Sequence, residues 1–201
     1  MPPYIPSSGC LVSAKDIRTF TYPLSAATPK AVGGARYAVR DIKSQSQTGI
    51  CTAISLVMNA QHATGNQYSE DFQYLLQKRF IDNNWTEGSS ILSALKSANK
   101  YGFLPASEWT YATEADRDAG YTQYINKLKA VPETEVQRLL AKTEKILTAY
   151  AAVPVNSDII KQAIEKSAAG ILARFELGAE WYTAKNGTLS WDKKDVEPLR
   201  A

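Results

Sequence analysis

One short stretch, KSQSQTGICTAISL (residues 43–56), holds the residue best suited to chemistry. Cys51 follows a turn signal at Thr48 and Gly49 and precedes a run of small and apolar residues that predicts a buried helix. In the first turn of a helix, unpaired N–H groups and the helix dipole favour a thiolate and can stabilise an oxyanion. The pattern therefore indicates a nucleophile for acyl transfer. The alternative is a cysteine that packs as a small hydrophobic residue.

Two neighbouring polar residues decide what help Cys51 can receive. Gln45 stands six residues earlier and can add a side-chain amide donor for an oxyanion. His62 is the only histidine of the chain, so any site that needs two imidazoles is excluded. It follows Cys51 by eleven residues on the same predicted helix, which is roughly 16 Å along the axis. A general base must come within roughly 3 Å, so we expect His62 to be a polar residue near the helix end.

The elements that must position these residues are mostly helical. Residues 1–40 are rich in Pro, Ser, Ala and Gly and predict an extended arm over the core. Strand character begins only late, with GILARFEL at residues 170–177. Periodic apolar residues, together with capping and stop signals, predict helices over residues 51–63, 69–81, 89–101, 134–150 and 158–167.

Composition excludes several classes of function. The formal charge of +3 comes from scattered Lys and Arg residues, so we predict no nucleic-acid partner. No apolar run approaches the roughly 20 residues that span a bilayer, so we predict no membrane segment. Two cysteines and one histidine give no metal-ligand spacing, and we predict neither a metal nor another cofactor.

Three segments together resemble a known family. QSQTGICTA (residues 45–53) is similar to the active-site segment of papain-like cysteine peptidases, which have Gln six residues and Gly two residues before the nucleophile. Thr52 stands where the bacterial and phage branch has Thr. TEGSSILSALKSANKYGFLPASEWTY resembles that family's Gly-rich edge and the helix that follows it, and GCLVSAKDIRTFTY looks like the leader before the mature domain.

The resemblance implies a papain-like α+β fold and a set of site residues. Cys51 would be the nucleophile and Gln45 the oxyanion donor. Gly88 and Ser89 would form the substrate-binding edge, where the family has two glycines, and the specificity pocket would be bordered by Ser90, Ile91 and Ile171. The alternative for residues 88–91 is an ordinary helix N-cap at Ser89 or Ser90. The substrate would be a peptide or protein, cleaved through a thioester without a cofactor.

The chain also departs from the family. Ile50 stands where Ser or Gly is usual, and Thr48 replaces a half-cystine. By the family's spacing from Ile171, the general-base His would fall at the last residues, 197–201. The sequence therefore predicts a peptidase chain that lacks the part bearing the His and Asn. Such a chain would be inactive by itself. The alternatives are a catalytically inactive papain-like module for binding or assembly, as in a phage or secretion particle, and a plain helical scaffold.

The predicted organisation follows from that shortfall. Residues 1–40 form the arm, residues 41–130 a helical lobe built on the Cys51 helix, and residues 131–201 a helix plus an incomplete antiparallel β lobe. A sheet cut short near residues 170–177 leaves an edge that a second chain or the chain's own arm should cover. We expect a bacterial or phage protein that is cytoplasmic or virion-associated.

Overall fold

The computed structural model describes residues 10–11, 42–154, 156–166 and 171–174, and more than half of these are helical. Strands are few in this part of the chain. β1 (Cys10–Leu11) pairs in parallel with β2 (Ser89–Ser90), so that Cys10 is opposite Ser89. The helix-rich half of the predicted α+β architecture is therefore present, and the described residues do not include an antiparallel β lobe.

The predicted central helix is confirmed as α1 (Cys51–Thr64). It ends at Gly65, whose φ of 81° allows its N–H to reach the carbonyl of Gln61 at 2.8 Å. The sequence is apolar around most of its circumference, and the structure accordingly buries it on several sides. The buried residues of α1 are Thr52, Ala53, Ile54, Leu56, Val57, Ala60 and Gln61.

The helix predicted over residues 69–81 changes its winding half-way. Ser69 caps α2 (Glu70–Leu76) by accepting a hydrogen bond from the N–H of Phe72 at 3.1 Å. A π-helix (Gln77–Asp82) then continues the same axis with a wider turn. It stops at Asn83, which has the left-handed φ of 52°.

The helix predicted over residues 89–101 begins two residues later than expected. Ser89 and Ser90 are extended as β2, and α3 (Ile91–Tyr101) follows. Ser90 is both the end of the strand and the N-cap, because its Oγ accepts from the N–H of Ser93 at 3.0 Å. Gly102 ends α3, as predicted from the sequence.

The prediction of one long helix over residues 134–150 is wrong. Shorter elements follow α3: a 3₁₀ turn (Ala106–Glu108), α4 (Glu114–Asp118), α5 (Tyr121–Ala130) and α6 (Glu133–Leu140). The chain does not continue as a helix after α6, because Thr143 Oγ1 donates to the carbonyls of Leu140 and Tyr101. Glu144 then forms an antiparallel bridge with Phe103, with N–O distances of 2.8 and 2.9 Å, and this bridge uses the backbone groups that a longer helix would need.

Two hydrophobic clusters meet at α1. The first joins α1 and α2 to α5 and α6 through residues that include Ile54, Phe72, Leu75, Tyr124, Leu128, Val136 and Leu139. The second lies on another side of α1, against α3, and contains Leu56, Val57, Ala60, Tyr68, Ala94, Ala98 and Phe103. The helix that carries Cys51 is thus fixed by packing on two sides.

The structure describes residues 171–174 of the predicted strand over residues 170–177. Residues 171–174 form no strand. Ile171 and Leu172 are half-buried whereas Ala173 and Arg174 are exposed, which is not the alternation that a one-sided strand requires. Leu172 packs against the second cluster. The rest of the predicted strand lies outside the described residues, and its covering by a second chain or by the arm stays a prediction.

The remaining predictions have mixed outcomes. α7 (Ser157–Lys166) matches the helix predicted over residues 158–167. Of the arm predicted over residues 1–40, the structure describes only β1. Within the described ranges, no helix has the length and apolarity needed to cross a membrane.

Candidate functional site

The loop before α1 is a tight turn that fixes Gln45. The backbone carbonyl of Gln45 accepts from both the N–H and the Oγ1 of Thr48, at 3.2 and 2.6 Å. Ser46 has the left-handed φ of 51°, and its N–H is bound by Ser44 Oγ at 3.1 Å. Thr48, Gly49 and Ile50 are all buried, so the chain enters α1 along a defined path.

The thiol stands where the sequence predicts it, because Cys51 is the first residue of α1. Its side chain is half-buried and forms no disulfide. The N-cap is Ile50, which has no side-chain acceptor, and the first turn holds no acidic residue. The positive end of the helix dipole is therefore not offset by a side chain within that turn, an arrangement that favours a thiolate.

Gln45 turns the end of its side chain into the protein. Its Oε1 is buried and has no hydrogen-bond partner among the described residues. The oxygen and nitrogen of an amide have nearly the same shape, so a rotation of the amide plane would place its donor there instead. Only an N–H group at that buried position could stabilise an oxyanion, so the predicted role of Gln45 requires the rotated amide. The predicted separation of about 4–6 Å between this amide and the thiol stays a prediction.

The second residue of α1 ties the helix to the π-helix. Thr52 Oγ1 donates to Gln77 Oε1 at 3.0 Å, and both side chains are buried. The Gln77 Nε2 atom has no partner among the described residues. Because Thr52 follows the nucleophile candidate directly, this bond fixes the first turn of α1 relative to the π-helix.

Polar side chains fix the backbone of the predicted substrate edge, Gly88 and Ser89, and Ser90, which was predicted to border the specificity pocket, follows directly. Gly88 has φ of 85°, which a side chain would strain. Its N–H donates to Tyr74 Oη at 3.2 Å, and its carbonyl accepts from Lys78 Nζ at 2.8 Å. Ser89 Oγ donates to Asp82 Oδ2 at 2.9 Å. We call residues 88–90 the peptide edge.

Two tyrosines extend this support to α5. Tyr74 and Tyr121 place their hydroxyl oxygens 3.2 Å apart, and Tyr121 Oη also reaches the carbonyls of Trp85 and Thr86 at 3.1 and 2.9 Å. Burial raises the pKa of Tyr74 far above its usual value and that of Tyr121 to about 12. Both phenols are therefore protonated near neutral pH and remain hydrogen-bond donors.

The peptide edge already pairs with an extended segment. β1 lies in parallel beside it, with Cys10 opposite Ser89 and Leu11 opposite Ser90. The pairing shows that the backbone at Ser89 and Ser90 can form β-type hydrogen bonds, and β1 takes up this side of the edge in the structure. The alternative interpretation of residues 88–91 as a helix N-cap is confirmed, since Ser90 is the N-cap of α3, and their role as a substrate edge stays a prediction.

The other predicted residues lie further along the chain. Ile91 is the half-buried first residue of α3, directly after the peptide edge. Ile171 is half-buried in a separate segment, and its place at a specificity pocket stays a prediction. His62 lies in the last turn of α1, so the helix rise places it roughly 16 Å from Cys51 along the axis. No group of three or more His, Cys, Asp or Glu residues in the described part could hold a metal ion.

A buried charge cluster anchors the site to the core, and the sequence analysis missed it. Arg117 contacts Asp71 at 2.6 Å and Glu70 at 3.2 Å, and Tyr124 Oη donates to Asp71 at 2.8 Å. Burial raises the pKa of Asp71 to about 6, against the opposing effect of the Arg117 charge. Lys43 binds the other oxygen of Glu70 at 2.8 Å, which connects the Gln45 loop to this cluster.

Lys78, Tyr74 and Asp82 were also missed by sequence reasoning. A lysine inside an amphipathic helix is normally exposed, so LLQKRF gave no reason to expect a buried ammonium. One available signal was spacing, since Tyr74 and Lys78 are four residues apart and share a helix face. The signal for the Arg117 cluster was the pair of acidic residues after Ser69, which has no basic residue within one helical turn in sequence.

Comparison of this chain with protein-family models, with curated proteins and with solved structures finds no match.

Proposed function

We propose that this chain carries the nucleophile and the peptide-binding edge of a papain-like cysteine peptidase. The observation that supports this most is that Cys51 is half-buried and is the first residue of α1. The N-terminus of α1 has no side-chain cap. The extended backbone of Ser89 and Ser90 pairs with β1, and in this proposal a substrate peptide pairs there in place of β1. The Thr52–Gln77 bond and the Lys78–Gly88 bond join the two features through consecutive residues of the π-helix.

The proposed chemistry is acyl transfer to sulfur. The Cys51 thiolate attacks the scissile carbonyl carbon, a C–S bond forms, and the carbonyl π electrons move to oxygen. N–H groups at the start of α1 and the Gln45 amide stabilise that oxyanion. Collapse of the intermediate re-forms the carbonyl and expels the amine, which takes up a proton, and leaves a thioester. Water hydrolyses the thioester and regenerates the thiol.

In this proposal an imidazole outside these 201 residues gives the proton to the leaving amine, since the only histidine of the sequence lies in the last turn of α1. We therefore propose that the chain by itself forms thioesters with activated acyl donors but does not turn over peptides. In this proposal the helical lobe joins a β lobe completed by further residues or a second chain, in a cytoplasmic or virion-associated bacterial or phage protein.

A second candidate function is a non-catalytic papain-like module that binds an extended peptide for assembly. The pairing of β1 with the peptide edge favours it, because that edge can bind a strand without any chemistry. The two candidates differ in one respect only. The peptidase requires a Cys51 that is reactive toward peptides bound at the edge, and the binding module does not.

Alkylation of the full chain separates these candidates. The peptidyl reagent is benzyloxycarbonyl-Phe-Ala chloromethyl ketone, and we expect its rate of Cys51 modification to saturate with concentration. For each reagent we compare the rate at Cys51 with the rate at Cys10. This ratio should be about tenfold higher for the peptidyl reagent than for chloroacetamide. Its peptide backbone can pair with the peptide edge, whereas chloroacetamide has none. Peptide mapping by mass spectrometry after timed quenching gives both rates within one sample.

Cys10 provides the internal reference, and Cys51→Ala provides the blank. Equal preference of the two reagents for Cys51 and Cys10 would remove the support for a peptidase. In that case the binding module would become the better account of the peptide edge.

A further inference from the structure

Lys78 is a fully buried lysine whose partners all lie in one place. Its side chain is 0% exposed. The ammonium donates to Asp82 Oδ2 at 3.0 Å, to Asn84 Oδ1 at 3.1 Å and to the carbonyl of Gly88 at 2.8 Å. An ammonium has three N–H donors, so this group is satisfied. Such complete pairing is what makes a buried charge tolerable.

The three acceptors span the loop that leads to the peptide edge. Asp82 ends the π-helix, Asn84 lies in the turn after it, and Gly88 begins the edge. Asp82 Oδ2 accepts from Ser89 as well as from Lys78, so one carboxylate oxygen is shared between the lysine and the edge. Lys78 therefore joins the two ends of the loop over residues 82–88 and fixes the position of Gly88.

The neighbouring residue connects the same π-helix to the thiol. Gln77 accepts from Thr52, and Thr52 follows Cys51 in the first turn of α1. The consecutive residues Gln77 and Lys78 thus bind the first turn of α1 and the peptide edge, respectively. π-helical turns occur often at functional sites, because the wider turn redirects side chains.

Stability alone does not account for a lysine at this position. Replacing both partners of a buried ion pair by well-packed apolar residues often costs no stability, whereas removing one partner alone destabilises the protein. An apolar side chain cannot bind the carbonyl of Gly88, however, and would leave that group without its cationic donor. The specific contribution of the ammonium is therefore the orientation of that carbonyl.

We propose that Lys78 is the positioning residue of the peptide edge. It holds the Gly88 carbonyl inward, so that Ser89 and Ser90 present their backbone to an extended peptide at a fixed place relative to Cys51. The inference rests on the proposed function for its substrate. Its structural content, the hold on residues 88–90, is measurable without any substrate.

The test compares Lys78→Met with Lys142→Met in the full chain. Lys142 pairs with Glu108 on the surface, so the same substitution there removes an exposed ion pair. We expect Lys78→Met to accelerate amide hydrogen exchange at Ser89 and Ser90 by about tenfold more than at Leu75 and Leu76, whose amides report any general loss of stability. Lys142→Met should leave all four amides unchanged. NMR exchange rates provide the measurement.

A second readout separates positioning from general destabilisation. The rate of Cys51 alkylation by benzyloxycarbonyl-Phe-Ala chloromethyl ketone should fall about tenfold in Lys78→Met, while the chloroacetamide rate stays within about twofold. A residue with a merely structural role would change both rates together. If the unsubstituted chain shows no preference for the peptidyl reagent, the proposed function fails, and the exchange rates still decide the role of Lys78.

Unchanged exchange at Ser89 and Ser90 in Lys78→Met, or equal acceleration there and in the core, would overturn the proposal. If Lys78→Met does not fold, Asp82→Asn takes its place, because it removes the charge shared by Lys78 and Ser89 and keeps the shape. We expect about threefold faster exchange at Ser89 in that variant. No acceleration in folded Asp82→Asn would equally overturn the inference.

Discussion

Replacing Arg117 by methionine is expected to lower the free energy of unfolding by about 3–5 kcal/mol. Arg117 is 3% exposed and pairs with Asp71 and Glu70, both of which are buried. Removing the guanidinium leaves two adjacent carboxylates, whose remaining cationic partner among the described residues is Lys43. Urea unfolding followed by circular dichroism measures the change.

The matched control is Arg138→Met. Arg138 pairs with Glu135 one helical turn away, and its side chain is 50% exposed. Exposed pairs of this kind contribute about 0–1 kcal/mol, so this variant should unfold close to the unsubstituted chain. Similar losses in the two variants would show that the buried cluster does not anchor α2 to α4.

Replacing Gly102 by alanine is expected to destabilise the chain by about 2–5 kcal/mol. Gly102 has φ of 85°, where a side chain is strained. An added Cβ would also lie 2.6 Å from the backbone oxygen of Glu144, which cannot move without opening the Phe103–Glu144 bridge. Thermal and urea unfolding should both show the loss.

Gly120→Ala separates the two causes. Gly120 has φ of 100°, but an added Cβ there meets nothing within 4 Å. This variant should carry only the backbone strain, about 1–3 kcal/mol. If the two alanine variants lose the same stability, then the close approach of Glu144 contributes nothing, and the bridge is looser than its N–O distances indicate.

The helices that carry the candidate site could be predicted because their signals are local. α1 is apolar on most sides and is buried on several, and the Gly65 and Gly102 stops act on their own helices. α6 was predicted too long because its end depends on Phe103, some forty residues earlier in sequence. A bridge of that kind has no periodicity to detect.

The support of the candidate site could not be predicted for a similar reason. In the sequence, Lys78 is one more basic residue of a helix. Only the fold shows that its ammonium donates to Asn84 and to the carbonyl of Gly88. Arg117 likewise lies far along the chain from Glu70 and Asp71. Local pattern predicts the candidate reactive groups, whereas only the tertiary structure shows which groups hold their segments in place.

The most direct test of the central claim is a single-turnover acylation of Cys51. The full chain is mixed with benzyloxycarbonyl-Phe-Ala p-nitrophenyl ester, whose leaving group departs without a proton and so needs no general acid. We expect a burst of nitrophenolate close to one equivalent per chain, with slow release afterwards, because no imidazole assists deacylation. Intact mass and peptide mapping should place the acyl group on Cys51 as a thioester that hydroxylamine cleaves.

Cys51→Ala should abolish the burst, and Cys10→Ala should leave it unchanged. The proposed function, in which a nucleophile at the start of α1 acts on a peptide bound at the peptide edge, predicts this result. The account would be contradicted if acylation were absent or equally distributed between Cys10 and Cys51.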